Sequence, residues 1–291
     1  MSPNTEKACY ASFVDSSEIR LSASPLEGTD VQALRREIAA LRAELAETQK
    51  TTNQYLQNVA HQLTAPLNAI KWSIEAIKDP AVSIPRKMKL LSSIYSQGTI
   101  LVHLIKNFSL MSNLETDNEL GQFRNSPERV DPFRLAVNLA NDFQPQAAEG
   151  GKKFDVDEPS FERILHGRKL LAVKNLVAQA LSNLLENAVK YADLKTAIRV
   201  EAVNVHIVEG AKAQFGIAVR SVGLPIYGDE VKKLLNRGVR GTTAQQRIPA
   251  GTGIGLYIAN RIMAIHQGTI YIQAKGKESS FTLVFPEARI K

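Results

Sequence analysis

The stretch Leu181-Ser182-Asn183-Leu184-Leu185-Glu186-Asn187-Ala188-Val189-Lys190-Tyr191 decides how the rest of the chain is read. Wound as a helix, it puts Asn183, Asn187 and Lys190 on one polar face. Leu181, Leu184, Leu185 and Ala188, with Val177 a turn earlier, fall on the other. One side can seal a core while the opposite side presents two amides and a cation. By itself this is also the pattern of a half-buried helix with a solvated Asn/Lys side, so its neighbours along the chain matter.

On either side of it, helical and strand periods mix. Runs rich in β-formers cover Ala197–Val208, Gln214–Val219, Thr269–Ala274 and Ser280–Phe285, and helical patterns fit 131–146, 169–191, 229–236 and 254–267. Helices gathered on one face of a mixed sheet give an α+β sandwich, expected over 129–291. No internal repeat is present. Two glycine segments punctuate the region. Arg220-Ser221-Val222-Gly223-Leu224-Pro225-Ile226 closes a strand, and Gly251-Thr252-Gly253-Ile254-Gly255-Leu256 opens a helix. The second follows a polar loop, Thr242–Ala250, rather than a strand, so it reads poorly as a dinucleotide fingerprint. Its glycines still let backbone N–H groups approach phosphate, with a helix dipole behind them.

The N-terminal half reads differently. Residues 1–30 are polar and aperiodic, a flexible tail or the remnant of an input domain. Val31, Leu34, Ile38, Leu41 and Leu45 form a short heptad seam, assigned with its polar sequel to a linker at 31–54. A coiled coil and a single surface helix both fit that seam. Leu56, Leu63, Ile70 and Ile77 then repeat every seven residues, a stutter away from Leu45. Asp79-Pro80 interrupts, and Leu91, Ile94, Leu101, Val102, Ile105 and Phe108 form a second stripe. The expectation over 55–113 is an all-α helical hairpin whose apolar stripe is covered by a second copy, as a four-helix bundle. A polar linker, 114–128, follows.

His61 sits on the first hairpin helix, roughly 165° from the centre of the apolar stripe. It therefore points outward, which excludes a core histidine and leaves a solvated or a functional one. Pro66, five residues on, lies inside the helix, where proline costs about 3 kcal/mol and frees a backbone carbonyl. A bend just after the histidine is the expected result.

Bulk composition narrows the classes. The 291 residues are 44% hydrophobic and 22% charged, ordinary for globular domains, with a net charge of +7 from 36 basic and 29 acidic residues. The surplus is spread out with no basic-aromatic run, so nucleic acid is not an expected partner. Cys9 is the only cysteine, which excludes an internal disulfide, and the histidines show no metal-ligand spacing. No run nears the roughly 18 apolar residues that cross a bilayer. The chain as given is expected to be cytoplasmic, with no membrane segment.

Taken in order, these motifs resemble the transmitter core of sensor histidine kinases, from about Leu56 to Pro286. His61-Gln62-Leu63-Thr64-Ala65-Pro66-Leu67 resembles the phosphoacceptor box, which implies that His61 accepts a phosphoryl group; neutral imidazole is a competent nucleophile. Gln62 stands where the family has a carboxylate that polarises the ring, and Ala65 stands where Thr or Asn supports dephosphorylation of the partner. Weak phosphatase activity is the expectation. The 181–191 helix resembles the asparagine box of the ATP domain, with Asn187 as the Mg²⁺ ligand, Asn183 in support, and Lys190 and Tyr191 beside phosphates and nucleoside. Related ATPases carry a water-activating glutamate at the position of Asn183, so transfer is favoured over hydrolysis.

The first glycine segment resembles the adenine-reading box, with Gly223 giving the base room and Ser221 replacing the usual Asp. A hydroxyl for a charged acceptor costs on the order of 1–2 kcal/mol, in ATP affinity or in adenine selectivity. The second resembles the phosphate lid, through Gly251, Gly253, Gly255 and Leu256. Arg237 lies in a segment similar to the family's F box, facing either phosphate or solvent. The resemblance implies ATP and Mg²⁺, a homodimer through the hairpin, and a response-regulator receiver domain as acceptor. Gln62 and Ser221 also keep open a degenerate kinase acting as a dimeric scaffold or a histidine phosphotransfer protein.

Overall fold

The computed structural model describes residues 28–115, 127–206, 213–248 and 251–291. The tail expected at 1–30 and the linker at 114–128 lie almost wholly outside these. Two compact units divide the chain, one up to Thr52 and one from Asn53 onward. In the first, the described residues are helical, and Val31, Leu34, Ile38, Leu41 and Leu45 are all exposed.

Helix α1 runs Gly28–Lys78 and is assigned continuously through Pro66. The Asp79-Pro80 signal ends it, the Asp79 carboxylate accepting from the Ala81 N–H at 2.8 Å. Helix α2, Ile84–Glu115, takes Pro85 in its first turn, where the missing N–H costs nothing. Much of the hairpin's apolar stripe is exposed, including Leu56, Leu67, Ile74, Leu91, Val102 and Ile105.

The remainder is a two-layer α/β domain. A five-stranded mixed sheet has the order β2-β4-β5-β7-β6, from β2 (Lys153–Val156), β4 (Ala197–Val205), β5 (Gln214–Val222), β6 (Thr269–Lys275) and β7 (Glu278–Phe285). Only β2 and β4 pair in parallel. Helices α3 (Pro132–Glu149), α5 (Lys174–Tyr191) and α7 (Gly255–Ile265) contribute Phe143, Leu181, Leu185, Ile258 and Ile262 to one core with Ile198, Val200 and Ile217 of the sheet. On the opposite face of β4, Arg199 pairs with Asp157 and Glu201, and Glu201 with Arg220. That alternation is why β4 was legible as a strand.

Local context overrode several sequence expectations. The helix expected from 169 starts at Lys174, because Leu170–Ala172 forms β3 against β1 (Glu128–Val130). Leu-Leu-Ala satisfies either period, and the reciprocal Lys169–Lys291 backbone hydrogen bonds hold it extended. His266 completes that junction. Its buried ring accepts from the Val173 N–H at the start of α5 (3.1 Å), while Nδ1 donates to the Ile262 carbonyl (2.8 Å). Short α4 (Glu158–Leu165) lacked enough periods to be seen. The pattern over 229–236 condenses to turns and a 3₁₀ segment, Lys233–Leu235. Conversely, part of the polar loop at 242–250 is helix α6, Thr242–Arg247. Side chains outside it supply its ends: Glu230 accepts from the Thr242 N–H at 2.8 Å, and Arg240 donates to the carbonyls of Ala244 and Ile248.

Candidate nucleotide cavity and phosphoacceptor helix

The polar face of α5 opens on a cavity. Asn187, Lys190 and Tyr191 line it, with Ser221 and Gly223 at the end of β5, Gly251, Thr252 and Gly253 from the loop before α7, and Gly255 at the start of that helix. Leu224, Pro225, Ile226 and Phe281 give it apolar walls, and Gln62, Leu104 and Asn107 of the hairpin complete it.

Glycine is required at two of these positions by close backbone approach. A Cβ on Gly223 would lie 2.1 Å from the Tyr191 carbonyl oxygen, because β5 and the end of α5 meet there as a bridge between Ala192 and Gly223. Gly253 has φ +68°, and a Cβ there would meet the Gly238 backbone at 2.6 Å. The loop thus folds back on the Asn236–Val239 turn.

Cations gather at the cavity edge. A Cβ on Gly251 would sit 3.1 Å from both the Lys190 ammonium and the Arg240 guanidinium. Burial, helped by Arg240, lowers the Lys190 ammonium from its ordinary value, although Glu186 pulls the other way. Burial also raises the Tyr191 phenol. For Glu186, burial works to raise the carboxyl, but His103 and Lys190 outweigh it and hold it below the ordinary range. His103, on α2 and 5% exposed, places Nδ1 2.8 Å from the Glu186 carboxylate.

The hairpin meets α5 through further polar contacts. Asn107 donates to Asn183 Oδ1 at 2.7 Å and accepts from Gln179 Nε2 at 2.8 Å. On α1, the Gln62 carboxamide, oriented with its oxygen toward the donors, accepts from the N–H groups of Gly251 and Thr252, each at 3.0 Å. An oxygen from α1 therefore occupies two glycine-loop donors. The neighbouring His61 is exposed, as its helical phase required.

Of the residues picked from sequence, Gln62, Asn187, Lys190, Tyr191, Ser221, Gly223, Gly251, Gly253, Gly255 and Leu256 all line this one cavity. Asn183 does not. It is 1% exposed beneath the wall, its Oδ1 held by Asn107 and its amide nitrogen buried without a hydrogen-bond partner. Arg237 is exposed and outside the lining, where Arg240 stands instead. Sequence reasoning missed Glu186, Arg240, Ser279 and the hairpin's Leu104 and Asn107. His103 and Asn107 did leave a signal: two polar residues four apart, on the same face of a largely apolar helix.

Residues 172–289 match the family described as histidine kinase-, DNA gyrase B- and HSP90-like ATPases, which sets the class of the cavity-bearing domain. Residues 51–117 match the His Kinase A (phospho-acceptor) domain. The sensor-like histidine kinase SenX3 of Mycobacterium tuberculosis is 24% identical over 246 residues, covering 84% of this chain and 56% of that protein. The phosphate regulon sensor protein PhoR of Pseudomonas aeruginosa is 25% identical over 246 residues, covering 84% and 52%. Among solved structures, the Acinetobacter baumannii histidine kinase AdeS aligns with a TM-score of 0.45 at 18% identity, over 78% of this chain and 97% of that one. A phosphoacceptor-type hairpin followed by an ATPase-type domain is the transmitter core of a sensor histidine kinase, and residues 51–117 and 172–289 supply those two parts in that order. The chain spans about half the length of the curated relatives it matches. Among the described residues, no helix is long and apolar enough to cross a membrane.

Proposed function

We propose that this chain is an ATP-dependent protein-histidine autokinase that phosphorylates His61 and passes the phosphoryl group to a response-regulator aspartate. The observation that carries the reading is the Gln62 contact. It brings the residue beside an exposed imidazole onto the two N–H groups best placed to hold phosphate. In the transfer, the bond from the γ-phosphorus to the bridging oxygen breaks and a phosphorus–nitrogen bond forms on the His61 ring. ADP leaves, and the ring gives up its N–H proton to solvent. Lys190, Arg240 and the glycine-loop N–H groups hold the triphosphate.

The lining also suits Mg²⁺. Among the described residues no cluster of three His, Cys, Asp or Glu could hold a metal. The Asn187 amide oxygen, with waters and phosphate oxygens, is the hard, partly hydrated set that Mg²⁺ takes, Asn183 supporting from below. Bound there, Mg²⁺ would neutralise phosphate charge. Residues 31–54 act as a coiled-coil linker, 55–113 as the dimerisation and transfer hairpin and 129–291 as the catalytic domain. The exposed stripe on α1 and α2 supports a homodimer through the hairpin. Gln62 and Ala65, lacking the groups that activate water, support weak phosphatase activity, and dependence on ATP supports a cytoplasmic location.

Incubation with γ-labelled ATP and Mg²⁺ tests the reading. Acid-labile, alkali-stable label that vanishes in His61→Ala is the expected result. Unlabelled protein that still binds ATP would make the chain a dimeric scaffold. Labelling only by a phosphorylated receiver domain would make it a phosphotransfer protein.

A further inference from the structure

We infer that the base-binding part of this cavity accepts either purine, so that guanine nucleotides bind about as well as adenine nucleotides. The inference rests on the nucleotide reading above and specifies its substrate class. The cavity lining divides by chemistry. Lys190, Arg240 and the Gly251–Thr252 N–H groups cluster around the glycine loop, the part suited to phosphates. Leu224, Pro225, Ile226 and Phe281 form the apolar part, suited to the faces of a flat ring.

The polar groups of that apolar part are hydroxyls. Ser221 on β5 and Ser279 on β7 are directly opposite in the sheet register, and their Oγ atoms lie 3.3 Å apart, so either can donate to the other. Among the described residues lining the cavity, Glu186 is the sole carboxylate, and His103 holds it at 2.8 Å. A carboxylate only accepts. It would favour the 6-amino group of adenine and repel the 6-oxo group of guanine. A hydroxyl donates one hydrogen bond and accepts others, and its hydrogen rotates to suit. With two hydroxyls sharing one loose contact, one can accept from an amino group or donate to an oxo group while the other adjusts. The pair therefore lacks the fixed polarity by which a buried polar site rejects the wrong partner, a rejection worth about 10⁴-fold where it exists. A pyrimidine, one ring smaller, fills less of the apolar slot and loses contact area.

Calorimetric titration of the whole chain with ADP, GDP and CDP in Mg²⁺ tests this. The expected dissociation constants for ADP and GDP agree within about fivefold, with CDP at least about tenfold weaker. Ser221→Asp, which installs an acceptor-only group, is expected to shift the preference toward ADP by about thirtyfold or more. A wild-type chain that already prefers ADP over GDP by thirtyfold overturns the inference, as does a folded Ser221→Asp chain with an unchanged ratio. The wild-type ratio decides on its own if the variant does not fold. Failure of only GDP to bind sinks the purine claim alone. Failure of both purines sinks the nucleotide reading with it.

Discussion

Replacing Asn107 by leucine keeps nearly the same volume on α2 but removes both ends of its carboxamide. Asn183 Oδ1 then loses a donor at 2.7 Å and Gln179 Nε2 an acceptor at 2.8 Å, and both belong to buried residues of α5. A buried group left unpaired costs roughly 1–3 kcal/mol. Asn107 itself is only half-buried, so water reaches part of the gap and the lower end of that range applies to each partner. The sum is about 2–3 kcal/mol, felt where α2 meets α5. Urea unfolding of the Asn107→Leu chain should show that loss at a constant slope, and hydrogen exchange should quicken along α2 before it quickens in the sheet. A double-mutant cycle with Asn107→Ala and Gln179→Ala isolates one of the two bonds, with an expected coupling of about 1 kcal/mol. A loss under about 0.5 kcal/mol, or strictly additive single mutants, would refute the argument that this carboxamide joins the hairpin to the nucleotide helix.

Three further outcomes are expected. Gln62→Ala frees the N–H groups of Gly251 and Thr252, so a non-hydrolysable ATP analogue should bind about fivefold more tightly; unchanged or weaker binding counts against competition at that loop. Gly223→Ala forces a methyl to 2.1 Å from the Tyr191 carbonyl, so β5 or α5 must move; destabilisation of about 3 kcal/mol or more should appear in denaturant melts, with nucleotide binding lost. Burial, with Arg289 nearby, depresses the His266 imidazole below its ordinary value, so the folded state keeps it neutral while the unfolded chain takes a proton. Stability is therefore highest above pH 6.5 and falls as pH drops from there toward the folded value, at up to about 1.4 kcal/mol per unit. Melting curves between pH 7.5 and 5.5 should show that fall in the wild type and a flatter profile in His266→Gln.

How far the sequence carried can be judged from particular elements. Helix α5 was legible because three polar residues and a five-residue apolar set separate at one period. Strand β4 was legible because Ile198, Val200 and Ala202 alternate with Arg199 and Glu201. β1, β3 and α6 were not, since each is too short to show a period and is held by side chains or backbone outside it: Lys291 for the start of β3, Glu230 and Arg240 for α6. The cavity's glycines stood out through the resemblance of their two segments to the glycine boxes of the family. Its hairpin wall did not, because nothing in the order of residues says that Asn107 reaches Gln179 and Asn183, more than seventy positions away. The same gap moved Asn183 off the cavity surface and put Arg240, not Arg237, on it.

Because Gln62, Leu104 and Asn107 belong to the hairpin yet form part of the cavity wall, occupancy of the cavity and seating of the hairpin are linked equilibria. Whatever factor a bound nucleotide applies to that seating, a rotation or slide of α2 must apply in return to nucleotide affinity. A mechanical input arriving along the helices can thus be titrated as a change in dissociation constant.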